Sequence, residues 1–505
     1  MNKPKAEIGK FSIESLTTGM YENHLVVYRE YVQNSADSLD KAVQDGIITQ
    51  QQAIIDIIIN KEERRIEILD NGLGIPGDVA FKTLVDVGKS TKDYSTNRGF
   101  RGIGRLAGFA YCNTLKFVTS FKGEPFKSIV TFDCSLMKKL LIPGESDHLT
   151  AENVLDLVTS YEKIPEDSAV HYFSVIMEGI DANEDKLLDM TKVNTYLSQV
   201  APVPFNRGKF VFTTEIINLF EKYDVPLTEY KISIGDSKET LKPIYKPYKH
   251  RYALFNKKNA EEVLQIEPII KESDGKLLYI GWYGKTNLQG ACSEEHIKGI
   301  RLRKGNIMVG DSNTLSELFR EERFNSWYIG EIHILDPEII PNARRDNFEL
   351  NNAYYQIRSY LTDFFDRLSL DIREASKKRN EGEGKLIKLV QEAEDRVTAL
   401  IKNGASSKVE KKKVMDLLIK ANESSDKIKA TTEEGKEKIK DYKMKIKNLE
   451  QILENKVQYK GRDLPSSYSK KEKKIVQIIF EVIDNNLEST IAENLINKIL
   501  QELKK

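Results

Sequence analysis

Cysteine is scarce in this chain of 505 residues. Cys112, Cys134 and Cys292 are its three cysteines, they lie far apart, and no CxxC pair occurs. That spacing excludes a disulfide framework and a cysteine-held zinc site, and it suits a reducing compartment. Net charge is lacking too: 77 basic residues balance 77 acidic ones. Bulk charge therefore gives no argument for nucleic acid or membrane as partner, and only local patches could. No stretch approaches the roughly eighteen uncharged apolar residues of a membrane span. The opening MNKPKAEIGKF has no apolar leader core, so the expected home is cytoplasmic.

What is present is a 40% hydrophobic and 30% charged composition, as in a soluble protein with some long solvated helix. The length calls for several domains. Up to about residue 200, helical and strand-like segments alternate with glycine-rich connections. Asp56–Asn60 and Arg65–Leu69 are short β-branched runs around a charged turn, a hairpin signal, and Lys116–Ser120 with Ser128–Asp133 make another around Gly123-Glu124-Pro125. From about 201 to 350 the chain is again mixed, with strand-like Leu277–Tyr283, Ile329–Leu335 and Gly299–Arg303. From about 351 proline and glycine become rare and Lys and Glu dominate.

Leu386, Val390, Ala393, Val397 and Leu400 recur in steps of four and three, as do Ile439, Tyr442, Ile446, Leu449 and Leu453. This is the heptad seam of a coiled coil over 351–460. Gly404-Ala405-Ser406-Ser407 interrupts it, leaving one long rod and two antiparallel helices both open. Beyond a linker, 465–505 carries Ile475, Ile479, Val482, Ile483, Leu487, Ile491, Leu495 and Ile499, which predicts a small helical hairpin.

Three motifs carry chemistry. In Glu30-Tyr31-Val32-Gln33-Asn34-Ser35-Ala36-Asp37, the residues Glu30, Asn34 and Asp37 share one helix face. A carboxylate there can polarise a water, and an amide oxygen four residues on is a hard ligand for Mg²⁺. Asp70-Asn71-Gly72-Leu73-Gly74 follows a strand; its carboxylate can accept a hydrogen bond from an exocyclic amine such as that of adenine, while Gly72 and Gly74 let backbone approach a flat ligand. Gly88-Lys89-Ser90 and then Gly99-Phe100-Arg101-Gly102-Ile103-Gly104 precede the apolar run Leu106–Ala110, a loop whose N–H groups could cradle phosphate. Gly88-Lys89-Ser90 is not a Walker A end, because Thr83 stands where its first glycine belongs. Gly102-Ile103-Gly104 has Ala107 in place of the third glycine of a dinucleotide fingerprint and no strand directly before it.

Singly these motifs are ordinary; their order and spacing are not. Together they resemble the GHKL superfamily of gyrase, Hsp90, histidine kinase and MutL, nearest to the bacterial Hsp90-like and microrchidia-like ATPases. The resemblance covers about residues 8–200. It implies an α+β chain: a Bergerat α/β sandwich over 1–200, a ribosomal-S5-like transducer over 201–350, then the helices. It implies ATP and Mg²⁺ as cofactors, with Glu30 as general base and Asn34 as metal ligand. Asp37 would be a second pocket residue, and Asp70 with Gly72 and Gly74 would hold adenine. Lys89 and Ser90 would lie in a lid, and Gly99, Gly102 and Gly104 along the phosphates. Where the family has a threonine near the adenine, the matching strand His171–Met177 has none, with Ser174 as substitute. Ile340-Pro341-Asn342-Ala343-Arg344-Arg345-Asp346 resembles the Hsp90 middle-domain loop, with Arg345 in the phosphate-sensing place and Arg344 beside it; an exposed arginine pair is the alternative.

Among the relatives, histidine kinase is disfavoured by the short stretch before Glu30, topoisomerase by the lack of a DxD cluster, and the MutL endonuclease by the lack of a late metal motif. Two functions remain expected. One is a hydrolysing homodimeric clamp acting on a protein client or DNA, chaperone-like or microrchidia-like, with a role in defence. The other is an ATP-dependent dimerisation module with negligible turnover. Lys411–Lys413, Lys436–Lys447 and Lys470–Lys474 could touch DNA, but their interleaved glutamates favour a solvated helix face.

Overall fold

A computed structural model describes residues 7–503 except 18, 20–22, 89–101, 145, 256–259, 381, 406–407, 428–432, 458–463 and 488. It divides into two compact units, Met1–Ile372 and Arg373–Lys505. In the first, α1 (Phe11–Leu16) and α2 (Val26–Gln44) precede the hairpin of β1 (Ile54–Asn60) and β2 (Arg65–Asp70). After α3 (Ala80–Val85) come β3 (Thr114–Ser120), β4 (Phe126–Asp133), α4 (Cys134–Leu140), α5 (Ala151–Val158), β5 (Thr159–Pro165) and β6 (Tyr172–Glu178). Then follow α6 (Met190–Val200), α7 (Thr213–Glu221), β7 (Lys231–Gly235) and β8 (Lys242–Pro243).

These strands make one eight-stranded sheet in the order β5-β4-β3-β6-β2-β1-β7-β8. Every pairing is antiparallel except β1 with β7. This mixed sheet with its helices is the α+β architecture of the Bergerat type. The isoleucine-rich β1 lies second to β7 and fully inside the sheet, as β-branched residues favour. In β2, Ile66, Ile68 and Asp70 face inward and Arg65, Glu67 and Leu69 are less buried. Tyr28, Val32, Ala36 and Leu39 of α2 join Ile55, Ile57, Ile66 and Ile68 in the core.

The remainder of this unit holds the short pair β9 (Arg251–Ala253) and β10 (Ala260–Glu262), then β11 (Gln265–Ser273), β12 (Lys276–Lys285), β13 (Gly299–Lys304), β14 (Ile307–Val309), β15 (Ile329–Ile334) and α8 (Asn352–Asn380). A second sheet runs β11-β12-β15-β13-β14, with β13 and β15 parallel. One core holds Leu302, Ile332 and Ile334 with Ile357, Leu361, Phe365, Leu368 and Ile372 of α8. The change of composition near residue 352 therefore marks a helix start, not the end of that core. A separate core sets Phe210, Ile216 and Phe220 against Ile280, Trp282 and Ile329.

On the same side as that second core lies a buried ionic group. Glu331 of β15 is fully buried and bonds Lys246 Nζ at 3.0 Å and Arg303 Nη2 at 2.6 Å. Tyr248 donates its hydroxyl to Glu331 at 3.1 Å, and His333 Nε2 lies 3.3 Å away. Arg303 also donates to the Gln199 carbonyl at the end of α6, at 2.7 Å, and Asn306 Nδ2 donates to the Thr228 carbonyl at 2.7 Å. Burial alone would raise Glu331, but the charges of Arg303 and Lys246 outweigh it and hold its carboxyl well below the usual range. His333, pushed down by burial to about 4, is neutral.

In the second unit, α9 (Gly382–Asn403), α10 (Lys408–Lys427) and α11 (Glu433–Asn455) precede α12 (Lys470–Asn486) and α13 (Ser489–Glu502). Gly404 ends α9 with φ +79°, and its N–H donates to the Leu400 carbonyl. The expected seams are used within the chain: Leu386, Val390, Ala393 and Val397 pack against Val414, Leu418, Ile446 and Leu453 in one three-helix core. Of the two arrangements the sequence left open, the helices fold back rather than form a rod.

Burial pushes Glu229 up to about 7, with Lys246 and Arg303 opposing and Glu331 adding to the rise. A raised acid lends stability below its unfolded value and loses it as pH climbs through the folded one. Between pH 4.5 and 7 wild type should thus lose about 1–3 kcal/mol relative to Glu229→Gln. Urea unfolding of both proteins across that range checks this; parallel curves would contradict it.

Candidate functional site

The first two motifs meet where α2 crosses the end of β2. The Glu30, Asn34 and Asp37 face is no solvated stripe: Glu30 is 7% and Asp37 6% exposed, and Asn34 is half-buried. Asp70, at the inner end of β2, is fully buried, and its Oδ1 accepts the Gly72 N–H at 2.9 Å. That bond folds the strand end into a tight turn. A Cβ at Gly72 would come within 2.2 Å of Ser38 Oγ on α2, and one at Gly74 within 2.1 Å of the Ser120 carbonyl. Gly74 also holds φ +73°. Both glycines are thus required by close approach, Gly74 by its backbone as well.

The third motif reaches the first at its far end. Gly104 opens a 3₁₀ helix, Gly104–Ala110, which carries the apolar run after the glycine loop. Its short turn is pinned by Tyr31, whose hydroxyl donates to the Arg105 carbonyl at 3.1 Å and accepts the Gly108 N–H at 2.9 Å. A Cβ on Gly104 would lie 2.4 Å from Glu30 Oε2, so the loop backbone abuts the carboxylate itself. Gly102 has φ +68°. Arg105 bonds the Asp86 carbonyl and so ties together the two ends of the segment between them. Burial lowers its guanidinium to about 10, with Asp86 opposing. Lys89, Ser90 and Gly99 lie outside the described residues.

Arg29 is the residue that motif reading missed. Its guanidinium bonds Glu30 Oε1 at 3.0 Å and donates to the Arg344 carbonyl at 2.9 Å. The loop 340–346 therefore sits directly beside the Glu30 carboxylate. Within it Arg345 is 6% exposed with φ +55°, an uncommon backbone state for a residue with a side chain. Arg344 is exposed, so the pair is not the exposed one that stood as the alternative.

The serine offered in place of the family threonine does not serve. Ser174 pairs with Leu69, not Asp70, so it lies on the opposite sheet face, where its hydroxyl bonds Glu67 Oε1 at 3.1 Å. The residue in the row of Asp70 is Phe173, and next in that row comes Thr119 of β3. Thr119 is buried and its Oγ1 accepts the Ile75 N–H at 2.7 Å, steadying the turn after Gly74. Counting strand alternation from Asp70 would have shown the face, but the register between β2 and β6 is not legible in one sequence.

The segment that carries this geometry also matches a known family. Residues 21–151 match the family of histidine kinase-, DNA gyrase B- and HSP90-like ATPases. That segment is a GHKL domain, Hsp90-like in character. Two curated relatives are chaperone proteins HtpG. That of Methylibium petroleiphilum is 28% identical over 100 residues, 18% of this chain and 15% of the relative. That of Mycolicibacterium gilvum is 25% identical over 132 residues, 22% and 20% of the two. The chain thus spans a fifth or less of the length of either relative. Among the described residues, no helix is long and apolar enough to cross a membrane.

The turn at Gly74 allows a direct check. Gly74→Ala should cost ~3 kcal/mol or more, since strain and a backbone clash combine. Gly88→Ala, at φ +71° with open space around it, should cost only about 1 kcal/mol. Equal shifts in the thermal unfolding of the two variants would contradict the close approach at Gly74.

Proposed function

We propose that the chain binds ATP with Mg²⁺, hydrolyses it, and uses the nucleotide to close a homodimeric clamp on a protein client or DNA. The contact of Gly104 with the Glu30 carboxylate carries this reading. A carboxylate and a glycine-built backbone cradle meet with no space for a side chain between them. The contact sets a base beside the loop that would line the phosphates. Glu30 Oε1 is engaged by Arg29, so Oε2, on the Gly104 side, is the oxygen that takes the proton from water.

The pocket fits the nucleotide chemically. Asp70 is an acceptor deep in the pocket, anchored by the Gly72 N–H, and would take the exocyclic amine of adenine. Gly72 and Gly74 let the turn after Asp70 close onto Ser38 and Ser120, which would hold Asp70 in place for the base, and Asp37 lines the same helix face as Glu30. Asn34 offers its amide oxygen as metal ligand, and bound Mg²⁺ would draw charge from the phosphate oxygens. Lys89 and Ser90 would close as a lid, with Gly99, Gly102 and Gly104 along the phosphates. Arg345 is assigned to the γ-phosphate, as a guanidinium suits developing phosphoryl charge. The bond from Arg29 to the Arg344 carbonyl supports this assignment, since it holds that loop beside Glu30.

Base and adenine roles separate cleanly by experiment. Glu30→Gln should keep ATP affinity and lose ~10²–10⁴-fold in turnover. Normal phosphate release by that variant would remove Glu30 as base, and an inactive wild type would leave a binding module alone. Asp70→Asn should instead abolish binding. Calorimetry with ATP and GTP decides that point: similar affinity for both, or an unchanged variant, counts against the adenine contact.

A further inference from the structure

Arg301 and Arg303 stand two residues apart on β13 and so share one face of the second sheet. Both are fully buried. Their guanidinium groups converge on one residue. Arg301 Nη2 lies 3.3 Å from Gln199 Oε1, and Arg303 Nη2 lies 2.7 Å from the Gln199 carbonyl. Beyond that point they differ. Arg303 pairs with Glu331, as Lys246 does. Among the described residues Arg301 meets neutral acceptors alone, with the Ile297 carbonyl at 3.0 Å, the Glu295 carbonyl at 3.4 Å and the Tyr248 ring against it. Three buried cations therefore face the single ionised carboxylate of Glu331. Glu229 is near, but burial pushes it up to about 7 and it hydrogen-bonds neither Lys246 nor Arg303. It supplies about half a charge at neutral pH. Burial and the neighbouring Arg303 push Lys246 down to about 8, the direction that surplus positive charge dictates. A second observation is independent of charge. Among the described residues, no acceptor meets Arg301 Nε or Arg303 Nε, and both atoms are buried.

We propose that Arg301 and Arg303 hold a small monovalent inorganic anion, chloride, with their Nε–H groups as its donors. A buried donor without an acceptor is costly, and a buried cation without a counter-charge costs more. One ligand meets both demands only if it accepts hydrogen bonds and is negative. Water could accept the two N–H groups, but it brings no charge. A bulky oxyanion is excluded because both arginines are closed off from solvent. The anion would complete the charge balance where the second sheet meets the end of α6 through Gln199. It touches none of the proposed nucleotide residues, so the inference stands whether or not the chain hydrolyses ATP.

Thermal unfolding of the full chain at pH 7.5 and fixed ionic strength tests this, as sodium chloride replaces sodium gluconate. Trp282 and Trp327 both lie in the larger unit, so tryptophan fluorescence reports the part that holds the site. The wild-type midpoint should rise by roughly 2–4 °C along a saturating curve, as for a ligand that binds only the folded chain. Arg301→Met removes the unmet charge and one donor, and should show no such rise. Glu229→Gln should bind chloride about fivefold more tightly than wild type. The wild-type Glu229 carboxylate is mostly ionised at that pH among Lys246, Arg303, Arg207 and Glu331, and it competes with the anion. Equal midpoints in the two salts would overturn the proposal, and so would a rise that never saturates. A saturating rise that persists in Arg301→Met, or a Glu229→Gln chain that binds chloride no tighter, would do the same. If Arg301→Met fails to fold, the wild-type salt series and Glu229→Gln decide without it.

Discussion

Glu331 is a full charge placed where no water reaches, and much of the larger unit is arranged around meeting that demand. An isolated buried carboxylate costs more than any single packing contact returns. Its partners come from different parts of the chain. Lys246 enters from the segment after β8, at the edge of the first sheet, and Arg303 from the neighbouring strand of the second. Arg303 then reaches the last turn of α6 through the Gln199 carbonyl. Since α6 also packs against α2, the charge of Glu331 fixes the second sheet relative to the helix that bears Glu30. A hydrophobic core tolerates small slips between sheets, but a bidentate ionic group does not.

That rigidity explains why a loop more than three hundred residues further along the chain can reach Arg29, the partner of the Glu30 carboxylate. Arg29 is where this becomes chemistry, because one guanidinium senses both the Glu30 side chain and the Arg344 backbone. The glycines complete the arrangement from the other side. Gly104 brings the loop backbone to Glu30, and Gly72 brings the turn after Asp70 onto α2. In each place the missing side chain sets the distance.

The parts of this legible in sequence were those where local chemistry dictates the residue. Asp70-x-Gly-x-Gly could be read because a tight turn and close backbone approach need glycine. The α9 and α11 seams could be read because their period is helical. What could not be read depends on partners remote in the chain. Arg29 and Glu30 are adjacent, and adjacent helical residues do not ordinarily face each other, so nothing local marks their pairing. Ser174 was misjudged because its face follows from register. β15 reads Ile-Gly-Glu-Ile-His-Ile, the alternation of a strand wet on one side, yet all six residues are buried. Its polar face meets Lys246 and Arg303 instead of water, and only the tertiary fold reveals that.

The parallel pairing of β1 with β7 has a consequence for how the chain is made. β1 is translated early and lies exposed on its outer edge until Lys231–Gly235 has been synthesised and can lie against it. Such long-range pairing forms slowly, because the intervening loop must close first. During that interval the edge of an isoleucine-rich strand is open to other chains, a known route to misassembly. A fragment that stopped near residue 200, though it would keep every nucleotide-binding motif, would carry this open edge permanently. The same sheet that houses the pocket thus sets the shortest piece of the chain that can be expected to stay soluble, and that piece runs past Gly235.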